Sequence, residues 1–180
     1  GTGKTFLARA FAHCLGLDMR RVQCTPDLMP GDVVGANIFD FKTQAFTLIQ
    51  GPVFCEFLLV DEVNRTPPKT QSALLEAMQE RSVTIDGETH PLSSRFMVIA
   101  TQNPVEHEGT YPLPEAQLDR FLFKLDVGYP NEEQEVGAVL AHCSSSGTPD
   151  LNAIGLERLF SGDEVDTLRA IPAQVHVDPA

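Results

Sequence analysis

"FLLVDE", Phe57–Glu62, sets four apolar residues in a row and closes them with two acids. An uninterrupted apolar run reads as a strand buried on both faces, as in a parallel sheet. Its carboxyl end is where open α/β sheets bind ligands. Burying charge is costly, so two adjacent carboxylates at that end leave two readings open. They are either solvated acids at a strand end, or a pair with a task. In the second reading Asp61 serves Mg²⁺ through water, and Glu62 polarises a water for attack on a phosphate.

Some 56 residues upstream stands "GTGKT", Gly1–Thr5. A Gly-rich loop running into a helix cradles phosphates with its backbone N–H groups and the helix N-terminus. Lys4 would reach the β and γ phosphates, and the Thr5 hydroxyl would ligate Mg²⁺. The full pattern, G-x-x-x-x-G-K-[ST], begins earlier than Gly1, so by itself the stretch also reads as an ordinary flexible turn. Paired with Asp61 and Glu62 it gains weight, because one half of the pattern supplies the phosphate cradle and the other the acids.

Downstream, "VIATQNP" ends a second buried strand at Asn103. An amide there can bond a γ phosphate or the attacking water, or can serve as a turn residue before proline. "EAQLDRF" sets Arg120 after a short helix. A guanidinium there can neutralise transition-state charge, in trans if need be, or can pair with Asp119 or Glu115.

The rest alternates strands and helices. "FLARAFAHCLG" has helical spacing and a terminal Gly16, and "MRRVQCT" is a short strand. "NIFDF" and "AFTLIQ" are hairpin arms. "PPKTQSALLEAMQE" is a helix opened by prolines. "SVTIDGETHPL" is a hairpin turning at Asp86-Gly87, and "LFKLDV" a last strand. Beyond "GYPNEE" strand-like runs stop, leaving the helices "NEEQEVGAVLAHC" and "SGDEVDTLRAI", the latter capped by Ser161 or Asp163, with "SSSGTPD" as the link between them. The alternation predicts a three-layer α/β fold with a parallel sheet.

Composition narrows the function. With 13 Lys and Arg against 25 Asp and Glu the net charge is -12, which opposes nonspecific binding to nucleic acid or anionic membrane. No apolar run approaches the ~20 residues of a membrane span. Cys14, Cys24, Cys55 and Cys143 are scattered, which predicts free thiols in a reducing cytoplasm rather than disulfides or a metal site. His13, His90, His107, His142 and His176 show no ligand spacing.

Taken together, "GTGKT", "CTPDLMPGDVVG", "GPVF", "LLVDEVNRTPPKTQSALLEAMQE", "VTIDGETHPL", "VIATQNPVEHEGTYPLPEAQLDRF" and "LDVGYP" resemble the MoxR family of AAA+ ATPases, over residues 1 to about 130. The resemblance implies a P-loop NTPase core over 1–128, with a five-stranded parallel sheet ordered 5-1-4-3-2, and the start of a helical lid over 129–180. It implies ATP and Mg²⁺ as cofactors. Gly1, Thr2, Gly3, Lys4, Thr5 and Asp61 would bind the nucleotide, with Thr5 and Asp61 at the metal. Glu62 would be the catalytic base, Asn103 sensor 1, and Arg120 the arginine finger given to a neighbouring subunit.

The "NIFDF…AFTLIQ" hairpin resembles the insert in the second helix that marks this clade, and "SVTIDGETHPL" the hairpin before sensor 1. The resemblance further implies a ring oligomer, usually a hexamer, and chaperone-like activation or assembly of a client protein. A partner bearing a von Willebrand factor A domain goes with it. A nucleic-acid motor is the competing reading. Its hairpins should be basic, and "SVTIDGETHPL" has no Lys or Arg while the other hairpin has only Lys42. A non-hydrolysing scaffold is a third reading; Lys4, Thr5, Asp61, Glu62, Asn103 and Arg120 speak against it for the parent protein, while it stays open for these 180 residues taken alone.

Two departures accompany the resemblance. The first strand of the fold is expected before Gly1, and no sensor 2 arginine is recognisable, since Arg158 and Arg169 sit in no assignable motif. Without the central strand, exposed strand edges predict poor stability and aggregation of these 180 residues taken alone.

Overall fold

A computed structural model describes residues 3–103, 109–128, 130–143, 151 and 155–175. The central element is the strand β4 (Phe57–Asp61), buried at every position. It pairs in parallel with β1 (Met19–Gln23) on one edge and with β7 (Met97–Ala100) on the other. The order β1-β4-β7 matches the 2-3-4 part of the expected sheet.

Alternation along β4 sorts its side chains into two cores, because successive residues of a strand face opposite ways. Phe57 and Leu59 join Ala8, Ala12 and Leu17 on one face, under helix α1 (Lys4–Cys14). Leu58 and Val60 join Val22, Leu74, Leu75 and Ala77 on the other face, under α3 (Pro68–Glu80). Helix, sheet and helix make the three layers. By the same parity Asp61 stands on the α1 face, and that places it opposite the first turn of α1.

Two hairpins leave this frame. β2 (Gly35–Asp40) and β3 (Ala45–Gln50) follow directly on α2 (Pro30–Val34) and pair antiparallel. Their tip carries Phe39, Phe41 and Phe46, stacked edge to face with centroids 5.2–5.3 Å apart. β5 (Ser82–Ile85) and β6 (Glu88–Pro91) turn at Asp86 and Gly87, with φ of 50° and 86°. Positive φ at both central residues is what a type I′ turn demands, and Asp-Gly supplies it.

The expected strand at "LFKLDV" does not form. Residues 122–127 pair with no strand among the described residues, and Leu122, Phe123 and Leu125 are 86%, 76% and 83% exposed. An apolar run becomes a strand only where a neighbour offers N–H and C=O groups. The neighbour that the resemblance assigns to this run is the strand expected before Gly1.

Beyond α4 (Glu115–Leu118) and α5 (Glu132–Cys143), α6 (Gly162–Ala170) returns to the sheet. Ser161 caps it, with Glu164 reaching back to the Ser161 N–H at 2.7 Å; Asp163 is not the cap. Arg95 grips this helix through Asp163 and Asp166 while also pairing with Glu56. Asp166 and Glu56 raise the affinity of Arg95 for its proton, and Arg95 lowers that of Asp166. "SSSGTPD" and His107 and His176 lie outside the described residues.

Candidate functional site

α1 begins where Gly3 adopts φ 75°, a left-handed turn that glycine enters without steric cost. The first turn of the helix then sets Thr5 over the end of β4. The Thr5 hydroxyl lies 3.2 Å from Asp61 Oδ2 and 3.4 Å from Oδ1, across 56 positions of sequence. Lys4, half-buried beside it, has no ion pair among the described residues. Gly1 and Thr2 lie outside the described residues.

Asp61 is almost enclosed, its side chain 7% exposed. β7 flanks it with Thr101, whose hydroxyl donates to Asp61 Oδ1 at 3.1 Å. β1 flanks it with Arg21, whose Nε donates to Oδ2 at 2.6 Å. The parallel register explains both. Arg21 is level with Leu59, and Thr101 follows Ala100, the partner of Val60. Each therefore sits on the α1 face, beside the acid.

Glu62 departs from the strand in the left-handed region, at φ 60° and ψ 49°. That conformation costs a non-glycine residue about 1–2 kcal/mol and persists only where surroundings impose it. Thr101 imposes it. Its hydroxyl accepts the Glu62 N–H at 3.0 Å and its carbonyl accepts the Val63 N–H at 2.9 Å. The result turns the Glu62 carboxylate out of the sheet, 29% exposed, against Arg65 at 3.2 Å and the Gln23 amide at 3.4 Å.

Asn103 lies two residues beyond Thr101. The Asn64 side chain holds its backbone twice, donating to its carbonyl at 3.2 Å and accepting its N–H at 3.4 Å. The Asn64 carbonyl also accepts the Tyr111 N–H. Buried Gln71 bonds the carbonyls of Val63 and Tyr111. The turn carrying Glu62, the strand end carrying Asn103 and the loop toward α4 are thus one hydrogen-bonded unit.

Arg120 is not part of it. It is exposed after α4 and pairs with neither Asp119 nor Glu115. Arg158 bonds the Gly16 and Phe160 carbonyls, and Arg169 the Ser94 carbonyl. Gly16 closes the end of α1 opposite Thr5.

The donor set suits Mg²⁺. It offers a hydroxyl and an enclosed carboxylate, both hard oxygens, in contact and beside a phosphate-cradle sequence. Mg²⁺ takes few protein ligands and fills its shell with phosphate and water. Among the described residues no cluster of three His, Cys, Asp or Glu offers an alternative metal site.

The chain is similar to known proteins. The family described as "ATPase family associated with various cellular activities (AAA)" matches residues 1–123. The uncharacterized Bacillus subtilis protein YeaC is 61% identical over 94% of this chain and 54% of its own length. Chaperone MoxR1 of Mycobacterium tuberculosis is 56% identical over 75% of this chain and 36% of its own. This chain belongs to the MoxR-type AAA+ ATPases. A candidate ATPase from Cytophaga hutchinsonii, solved by crystallography, superposes with a TM-score of 0.81 at 42% identity. It covers 99% of this chain and 52% of that one. The chain thus spans about half the length of YeaC and of that solved protein.

Within this MoxR-type frame, sequence reasoning missed Arg21, Gln23, Asn64 and Thr101. Arg21 and Gln23 share the parity of Met19, but only the register of β1 against β4 shows that this parity faces the acid. Thr101 was hidden because it reads as one more residue of "VIATQNP".

Proposed function

We propose that the full-length protein binds ATP and hydrolyses it with Mg²⁺. The observation that carries this reading is the contact of the Thr5 hydroxyl with the Asp61 carboxylate, one residue from Glu62. Gly1–Thr5 would cradle the phosphates, with Lys4 at β and γ. Thr5 and Asp61 would hold Mg²⁺, Asp61 through water. Bound there, the ion would screen the charge that builds on the phosphates as the bond breaks. Glu62 accepts the proton of the attacking water, its carboxylate already aimed away from the strand. Asn103, pinned by Asn64, bonds the γ phosphate or that water.

Arg120, exposed and unpaired with its neighbours, acts on the nucleotide of an adjacent subunit in a ring, most simply a hexamer. The core is residues 1–128 and the lid begins at 129. The name of MoxR1 as a chaperone supports chaperone-like remodelling of a client, and that of a 29% identical relative as gas vesicle ATPase GvpN supports ATP hydrolysis; a von Willebrand factor A domain protein as partner is what the family resemblance alone implies. The hairpins support this over a nucleic-acid motor, because their turns are acidic or aromatic rather than basic.

The test is ATP turnover by the full-length protein beside Glu62→Gln. Loss of a positioned base costs about 10²–10⁴-fold in rate, with nucleotide binding retained; equal rates would remove Glu62 from the mechanism. Specific activity that rises with protein concentration is expected for Arg120 in trans, and activity independent of dilution down to the monomer contradicts it.

A further inference from the structure

We propose that Arg21 is the counter-cation of Asp61 while the nucleotide site is empty, and that it competes with the divalent ion for this carboxylate. The proposal rests on the reading of Asp61 as the Mg²⁺ residue. An enclosed carboxylate needs a positive partner or several hydrogen bonds. Among the described residues Asp61 has two hydroxyl donors, Thr5 and Thr101, and one cation, Arg21, at 2.6 Å. Three of about four acceptor positions on the carboxylate are therefore taken before any metal-bound water arrives.

The two ends of this ion pair differ in freedom. Asp61 is fixed within the sheet, at 7% exposure, whereas the Arg21 side chain is 50% exposed. A cavity of about 360 Å³, lined by Thr5, Arg9, Met19, Arg20 and Arg21, opens beside it. Arg21 thus has room to turn aside without moving the backbone of β1. Two cations sharing one carboxylate repel each other, so the ion pair must loosen as Mg²⁺ settles at Thr5. Arg21 keeps the empty site from carrying an uncompensated charge, and the same contact raises the Mg²⁺ concentration needed to fill it. Arg21 is in this sense a positioning residue rather than a catalytic one.

The experiment uses full-length protein, a fluorescent ADP analogue and a Mg²⁺ titration, with thermal melts in EDTA and in saturating Mg²⁺ and ADP. Arg21→Gln should lower the half-saturating Mg²⁺ concentration about three- to tenfold, the range set by partly exposed ion pairs. It should lower the melting temperature in EDTA more than in Mg²⁺ and ADP. Arg21→Lys, which keeps the charge without the guanidinium geometry, should shift the Mg²⁺ requirement in the same direction by less, and serves if the Gln variant does not fold. An unchanged or raised Mg²⁺ requirement in both variants overturns the proposal. So do equal melting losses with and without Mg²⁺ and ADP, which would make Arg21 merely structural. Asp61→Asn separates the two readings. If it leaves the Mg²⁺ dependence of binding unchanged, Asp61 is no Mg²⁺ residue and both readings fall. If it weakens that dependence while the Arg21 variants do not change it, the Arg21 proposal alone falls.

Discussion

β4 and residues 121–128 are nearly the same kind of sequence with opposite fates. "FLLVD" and "FLFKLDVG" both run apolar into an acid. The first is bonded on both edges and Leu58 and Leu59 are 0% exposed; the second is unpaired among the described residues and its Leu125 is 83% exposed. Composition does not separate them. What does is the supply of strand edges, since β1 and β7 complete the backbone hydrogen bonds of β4 and residues 122–127 have no such neighbours among the described residues. The functional consequence is as sharp. The acid that ends β4 is locked among Thr5, Arg21 and Thr101, while Asp126 at the end of the other run pairs, among the described residues, with exposed Lys124 at 3.5 Å.

Truncation should expose this contrast most strongly. Leu58→Ala in β4 should cost about 3–5 kcal/mol through lost burial and an unfilled cavity, read as a fall in the denaturant midpoint. The same change at Leu122 or Leu125 should stay within about 0.5 kcal/mol, as at exposed sites. A loss at Leu125 matching that at Leu58 would show that the full-length protein covers this run as thoroughly as β4.

A smaller effect is expected at the acid itself. Thr101→Val keeps the shape but strips the hydroxyl that donates to Asp61 and accepts from the Glu62 N–H. Leaving such buried groups unpaired costs about 1–3 kcal/mol, and ATP turnover should fall with stability. Wild-type turnover in this variant would separate the backbone turn at Glu62 from catalysis.

The smallest effect concerns Cys55, buried just before β4. Burial pushes its thiol up to about 11 from an ordinary value of 9.0. Because the folded value is raised, the neutral thiol contributes stability in full below pH 9.0, and that contribution is lost as pH rises through about 11. At pH 8 Cys55 should resist alkylation in the native protein and react only after denaturant is added, as mass spectrometry would report. Rapid native labelling would mean that the entry to β4 opens readily.

The same contrast explains what the sequence could tell. "FLLVDE", the helix that starts at Lys4 and "MRRVQCT" were legible because local pattern and final environment agree in them, and so were the hairpin at Asp86-Gly87 and the Ser161 helix cap. "LFKLDV" misled because its pattern matches a strand while its pairing depends on a partner that the pattern does not contain. Asp61 and Glu62 were readable as site candidates from type and position. Arg21 and Thr101 were not, because their importance comes from register: only the pairing of β1 and β7 against β4 sets them on the α1 face next to Asp61. Asn64 escaped for a similar reason, since its partner is the backbone of Asn103, 39 positions away.

The proposed activity requires Thr5 and Asp61 to form one metal site at the end of β4. The most direct measurement is a crystal structure of the full-length protein with ADP and Mn²⁺ in place of Mg²⁺, with the metal located by its anomalous scattering. A peak is expected at coordination distance from Thr5 Oγ1, about 2 Å for an ion of this kind, with a water between the metal and Asp61. A metal bound to the nucleotide but remote from Thr5, with Asp61 still closed on its protein partners, would contradict it.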